Sequence, residues 1–195
     1  MLTDPLADAL AEAEKLVRDA AHIRTDQDLY EGYRYLAGGI LASVHAAWAT
    51  DRDLPFFIQG TGPFMKMGLD NPDTLYWGTR IDDQHEYVVT GTRGSTVDLS
   101  FQVLSGNYTA ANVPGSESAF DDRAFDIDDD GSYEVRFGPE PSAGRRNYFQ
   151  LAPGSSQLVV REVYSDWDQR RGTIRIARTD TAGIAPAALT AEGVE

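Results

Sequence analysis

Tyr76, Arg80, Gln102 and Arg161 are the polar side chains most able to meet on one surface and do chemistry there. Tyr76 and Arg80 fall on the side of their segment opposite Leu75 and Trp77, because side chains alternate along an extended chain. Gln102, with Ser100, takes the polar side of a later segment, and Arg161 lies in a third. If strand order brings these together in a concavity, Arg80 and Arg161 could clamp a carboxylate or sulfate, since a guanidinium offers paired donors. Tyr76 and Tyr164 would flank the organic body of such an anion. Asp73, in the turn that enters the first segment, completes the candidate set. The outer face of an antiparallel sheet is polar in any case, so the set is read as a ligand site and no catalytic residue is assigned.

Other chemistries find less support. Asp126-x-Asp128-x-Asp130-Gly131 matches the opening of a calcium loop, but position twelve is Phe137 where a bidentate Glu is needed. His22, His45 and His85 show none of the paired spacings of zinc sites. There is no G-x-S-x-G for an acyl-transfer serine and no Gly-rich loop with Lys for phosphates. Gly60-x-Gly62 lacks the third glycine of a nucleotide fingerprint. With zero cysteines, thiolate catalysis, thiolate metal sites and disulfides are excluded. The expectation is a protein with no metal and no cofactor. Asn107-Tyr108-Thr109 is a glycosylation sequon without a secretion signal to give it meaning.

The elements that must position the candidate residues are mostly strands. A turn at Asn71-Pro72-Asp73-Thr74 leads into Leu75–Ile81, apolar at every second residue. Glu86–Thr92 and Val97–Val103 follow after short turns, so the three predict an antiparallel meander. Its apolar face, Leu75, Trp77, Ile81, Val97, Leu99, Phe101 and Val103, needs a cover. Ser105–Asp122 is polar and without period, which predicts a long surface loop. Phe125 and Ile127 face Tyr133, Val135 and Phe137 across Asp130-Gly131, a hairpin signal. Tyr148–Leu151, Gln157–Tyr164 and Thr173–Arg178 predict further strands, with Ile174 and Ile176 inward.

Ahead of the strands, Asp4-Pro5 predicts a helix start with Asp4 as cap. Leu6, Ala9, Leu10, Ala13, Leu16, Val17 and Ala20 follow as one apolar stripe. Thr25 with Asp28 predicts a second helix opening on a capping box. Leu29, Tyr33, Leu36, Ile40, Val44 and Trp48 line one face of it, and Gly38-Gly39 would permit close helix contact. Tyr30, Ala37 and Leu41 extend the apolar surface around that helix beyond what one contact would use. The expectation is a homo-oligomer through the N-terminal helices. Leu54–Ile58 predicts a short strand or tether, and Ala185–Leu189 the beginning of a helix.

Composition bounds the partners. The 195 residues carry 31 acidic and 17 basic side chains, a net charge of −14. That charge opposes the counterion release that drives nucleic-acid binding, so DNA, RNA and anionic membranes are poor partners. With 42% apolar and 25% charged residues the chain suits one globular unit. No apolar run is long enough to span a bilayer, and Met1–Pro5 has no signal-peptide character. A cytoplasmic protein is expected.

Two segments carry a resemblance. Asp70-Asn71-Pro72-Asp73-Thr74-Leu75-Tyr76, with Leu99–Val103 further on, resembles bacterial proteins bearing the domains of unknown function 1254 and 1214. Val160-Arg161-Glu162-Val163-Tyr164-Ser165-Asp166-Trp167-Asp168 is similar to a second segment of that group. The resemblance covers roughly residues 70–180. It implies a β-rich, jelly-roll-like fold and transfers no catalytic residue, and longer members of the group continue past the end of this chain.

The fold class expected is α+β, mainly β: an antiparallel β-sandwich behind an N-terminal helical hairpin. Residues 1–52 would form the hairpin, packed on or beside the sheet. Residues 53–180 would form the antiparallel β domain, and 181–195 a tail or the start of a helix. Two functions are expected from it. One is a small-molecule-binding or enzymatic sandwich acting on an organic anion at the Tyr76 cluster. The other is a non-enzymatic module that binds carbohydrate through Trp77, Tyr108 and Trp167, or associates with itself.

Overall fold

The computed structural model describes residues 3–68, 70–107, 111–181, 183–186 and 188, with the side chains of residues 48 and 49 excepted. Helices α1 (Asp4–Arg18) and α2 (Asp26–Val44) lead into a π-helical turn, His45–Ala49. The strands are β1 (Ile58–Thr61), β2 (Thr74–Arg80), β3 (Tyr87–Thr92), β4 (Asp98–Ser105) and β5 (Gly115–Asp121), then β6 (Ser132–Gly138), β7 (Tyr148–Gln150), β8 (Ser155–Val163) and β9 (Thr173–Arg178). They form two sheets, ordered β1-β2-β8-β4-β5 and β7-β6-β3-β9. The protein is therefore α+β and mainly β, with every strand pair antiparallel except β6 and β7, which run parallel.

Alternation explains why the two sheets cohere. Leu99, Phe101 and Val103 of β4 and Leu158 and Val160 of β8 are buried. They join one core with Tyr87 and Val89 of β3 and Tyr133, Val135 and Phe137 of β6. Phe101 is wholly buried and meets Phe120 at 5.4 Å and Phe125 edge-on at 5.6 Å. Burial of one such ring stabilises the fold by about 1.5–3 kcal/mol.

The expected meander is not formed. β2 and β4 both flank β8, while β3 lies in the other sheet. Alternation states which side of a strand is buried but not which strand is its neighbour. Here the β2–β3 turn carries the chain across the core. Asp82 accepts from the amide of Gln84 at 2.9 Å, and its own amide donates to the hydroxyl of Tyr87, which donates in turn to the carbonyl of Arg52. Val97 is exposed, because it lies one residue ahead of β4 and escapes its alternation. Trp77 pairs with core Val160 and Tyr76 with Arg161, on opposite faces. Trp77 is only half-buried, since β1 alone separates β2 from the sheet edge.

Two further expectations fail, for different reasons. The loop expected over Ser105–Asp122 contains β5, an edge strand whose exposed serines and Glu117 conceal it; its Phe120 turns inward to stack on Phe149 at 3.7 Å. The Phe125–Ile127 arm is not a strand. The side chain of Asn147 stands in for a ladder partner: its Oδ1 accepts from the Asp126 amide at 2.8 Å, and its Nδ2 donates to the carbonyls of Asp126 and Glu134.

The helices differ from their expectation at several points. The cap position of α1 is Thr3, with Asp4 the first helical residue. The capping box of Thr25 and Asp28 opens α2. α1 buries no residue and α2 only Gly38, and among the described residues no strand makes extensive contact with either helix. Leu6 and Leu16 of the expected stripe are exposed. Close contact between the helices is made at Gly32 against Val17, not at Gly38-Gly39. Gly38 instead admits the backbone of Phe64, whose carbonyl oxygen a Cβ there would overlap. Trp48 falls in the π-helical turn, and its side chain lies outside the described residues, as do Tyr108, Thr109, Ala187 and Leu189. Ala185, Pro186 and Ala188 are not helical.

Candidate functional site

Register decides which predicted residues meet. Tyr76, Arg161 and Ser100 stand in one row across β2, β8 and β4, with Gln102 in the next row. Arg161 donates to Gln102 Oε1 at 2.7 Å and lies 5.8 Å from the Tyr76 ring centre. Gln102 passes the chain on to Ser116 at 2.8 Å, and the Tyr76 hydroxyl accepts from the Asn71 amide. This outer-face cluster is assembled, but its polar atoms engage one another.

The remaining candidates do not join it. Arg80 pairs with Gln157, four residues along the strand from Tyr76 and so roughly 13 Å away. The clamp of Arg80 and Arg161 is therefore not formed. Tyr164 lies one residue past β8 and stacks on exposed Trp167 at 5.4 Å, away from Tyr76. Asp73 sits in the turn before β2, where its carbonyl accepts from the Tyr164 amide at 2.8 Å. Trp167 itself is 68% exposed. The calcium-like aspartates are engaged in other ways. Arg146 bridges Asp126 and Asp128 at 3.2 and 2.8 Å, and Asp130 accepts from the Ser132 amide. Among the described residues no cluster of three acidic or imidazole groups could hold a metal ion.

A different site emerges where the two sheets part. The β1–β2 edge of one sheet and the β9 edge of the other leave a cleft of about 550 Å³, within the size range of small-molecule sites. Phe56, Phe57, Trp77, Ile174 and Ile176 supply its apolar walls. Arg171 and Arg175 stand at its exposed rim, and neither makes an ion pair among the described residues. Among the described residues the Trp77 indole Nε1, buried in the wall, has no hydrogen-bond partner, and neither has the Thr79 hydroxyl two residues along the same inward face. Buried donors are nearly always satisfied, and an orphan one calls for a specific account.

The wall that carries the arginines is held from behind. Glu162 is buried at an inward position of β8 and accepts from the Gly172 amide at 2.8 Å and the Thr96 hydroxyl at 3.4 Å. Gly172 has no room for a Cβ, which would overlap the Thr92 carbonyl. Arg93 locks the same corner, donating to Asp122 at 2.6 Å and to the Thr96 carbonyl at 2.6 Å. Close by, Tyr133 donates to the Thr173 carbonyl; burial first, and the nearby Glu162 charge second, raise its pKa. Sequence reasoning missed this corner. The available signal was an acidic residue at an inward position, between Val160 and Tyr164, where an apolar one is expected.

These features define a two-layered, mainly β protein with a cleft at the open edge of its core. No protein-family model and no curated protein matches the chain. Among solved structures, it is similar to an uncharacterised protein of Burkholderia cenocepacia, with a TM-score of 0.91 and 27% identity over 99% of this chain. The match covers 53% of that protein, so this chain spans about half its length. A protein of Vibrio parahaemolyticus aligns at a TM-score of 0.39 and 14% identity, over 88% of this chain and 42% of that one.

Proposed function

We propose that this protein binds a small amphipathic organic anion in the cleft between β2 and β9. The single observation that carries the reading is the Trp77 indole N–H, buried without a partner among the described residues in an apolar wall whose rim presents two arginines likewise free of ion pairs there. Arg171 and Arg175, without ion pairs among the described residues, give the cleft mouth a local positive field within a chain of net charge −14. The apolar tail lies along Phe56, Phe57 and Ile176, and one carboxylate oxygen meets Arg171 or Arg175 while the other accepts a hydrogen bond from the Trp77 N–H. The lining residues include no carboxylate and no imidazole, which favours binding over catalysis.

The jelly-roll-like arrangement and the kinship with the 1254 and 1214 domain group belong to the same proposal. The two segments behind that resemblance fall on β2 and β8, which pair directly, Tyr76 with Arg161. The lack of cysteine fits a cytoplasmic setting. The test is isothermal titration calorimetry with decanoate and decylamine. Decanoate should bind, decylamine should not, and the double variant Arg171→Gln/Arg175→Gln should weaken decanoate by about tenfold or more. Equal binding of amine and carboxylate, or binding untouched by the double variant, would remove the reading.

A further inference from the structure

The hairpin presents a second concavity, separate from the cleft. It lies along α1, α2 and the Pro63–Lys66 segment, has a volume of about 1020 Å³, and is chiefly apolar. Leu16, Tyr35, Leu41 and Phe64 line it and are 65%, 55%, 43% and 77% exposed, so large apolar side chains face water on one continuous surface. Isolated helices of this length are marginal in water and are normally held by burial of an apolar face. Here the two helices bury a single glycine between them. Exposed apolar surface of this extent marks an interaction site.

We propose that the occupant is a second copy of this chain, docked groove to groove about a two-fold axis. The charge pattern selects it. Of the groove's charged side chains, Asp28 caps α2 and Lys66 is paired with Asp70, which leaves Glu31 toward the start of α2 and Arg34 one turn further along as its acidic and basic ends. Antiparallel, two-fold pairing sets the acidic end of one groove against the basic end of the other, as an isologous interface requires. A wholly acidic or wholly basic partner would leave one end opposed by like charge.

Sedimentation equilibrium of the full chain tests the proposal, with melting followed in parallel. The expected result is a dimer at about 50 μM whose dissociation constant rises tenfold or more in Leu41→Glu and in the milder Tyr35→Ser, with unchanged strand signal by circular dichroism. Reversal of one charge, Glu31→Arg, should weaken the dimer, and the double variant Glu31→Arg/Arg34→Glu should restore it. A monomer at that concentration overturns the proposal, and so does a dimer indifferent to Leu41→Glu and Tyr35→Ser. Failure of the double variant to restore association overturns the two-fold arrangement.

Discussion

The helical hairpin is richer in apolar residues than the β body, yet it buries far fewer of them. In the body, Tyr87, Val89, Phe101, Val135, Phe137, Leu158 and Val160 lose all contact with water. In the hairpin, Leu6, Leu16, Tyr30, Tyr35 and Leu41 keep between 40% and 65% of theirs. Two sheets bury a face each when they stack. Two helices side by side bury only a seam, and the rest of their apolar surface is left for something else. Stability therefore resides in the strands, and the hairpin is held chiefly by its capping box, its Gly32–Val17 seam and the seat of Phe64 on Gly38.

The largest effect should come from cutting into the body. Phe101→Ala should cost about 3–5 kcal/mol in denaturant titration, while Tyr30→Ala, on the exposed side of α2 outside the groove, should stay within about 0.5 kcal/mol. Comparable losses at both positions would erase the contrast. Within the hairpin, Gly38→Ala and Gly39→Ala should differ in sign. An added methyl at Gly38 meets the Phe64 carbonyl and should lower the melting of the helical signal, at a cost of about 1–3 kcal/mol. At Gly39 it meets nothing and should stabilise the helix by up to about 1 kcal/mol. Equal shifts would mean that the 62–66 segment does not rest on α2.

The smallest effect concerns charge. Burial alone would raise the pKa of Glu86, but hydrogen bonds from Arg145 at 2.7 Å and Arg136 at 2.9 Å outweigh it and hold the carboxyl below its usual range. A carboxylate whose folded pKa is depressed contributes stability above its unfolded value, and that contribution is lost as pH falls through the folded pKa. The body should therefore weaken below about pH 4.3, and Glu86→Gln should flatten that acid limb. Denaturant midpoints with the same acid dependence in both proteins would show that the Glu86 pairs contribute nothing.

Local features were legible in the sequence, and features set by distant partners were not. The Thr25–Asp28 box and the alternation of Leu99, Phe101 and Val103 depend on near neighbours, and both follow from spacing alone. The placement of β3 in the second sheet depends on pairing with β6 and β9, far along the chain. Arg80 and Arg161 share a face, as alternation requires, but the β2–β8 register sets them too far apart to converge. The cleft was hidden for the same reason, since Trp77 meets Ile174 and Ile176 only because β9 closes the other sheet beside β2. Asn147, held at a φ of 50° and pairing like a backbone amide, has no signature in periodicity at all.

The most direct test of the cleft is the indole proton that lacks a partner. In protein labelled with ¹⁵N-tryptophan, the Trp77 N–H resonance can be assigned by its loss in Trp77→Phe and followed while decanoate is added. It should move saturably with decanoate, stay in place with decylamine, and respond far more than the exposed indole of Trp167. A Trp77 resonance that remains fixed through saturating decanoate, or that moves equally with the amine, would contradict an anion-binding cleft at this edge of the core.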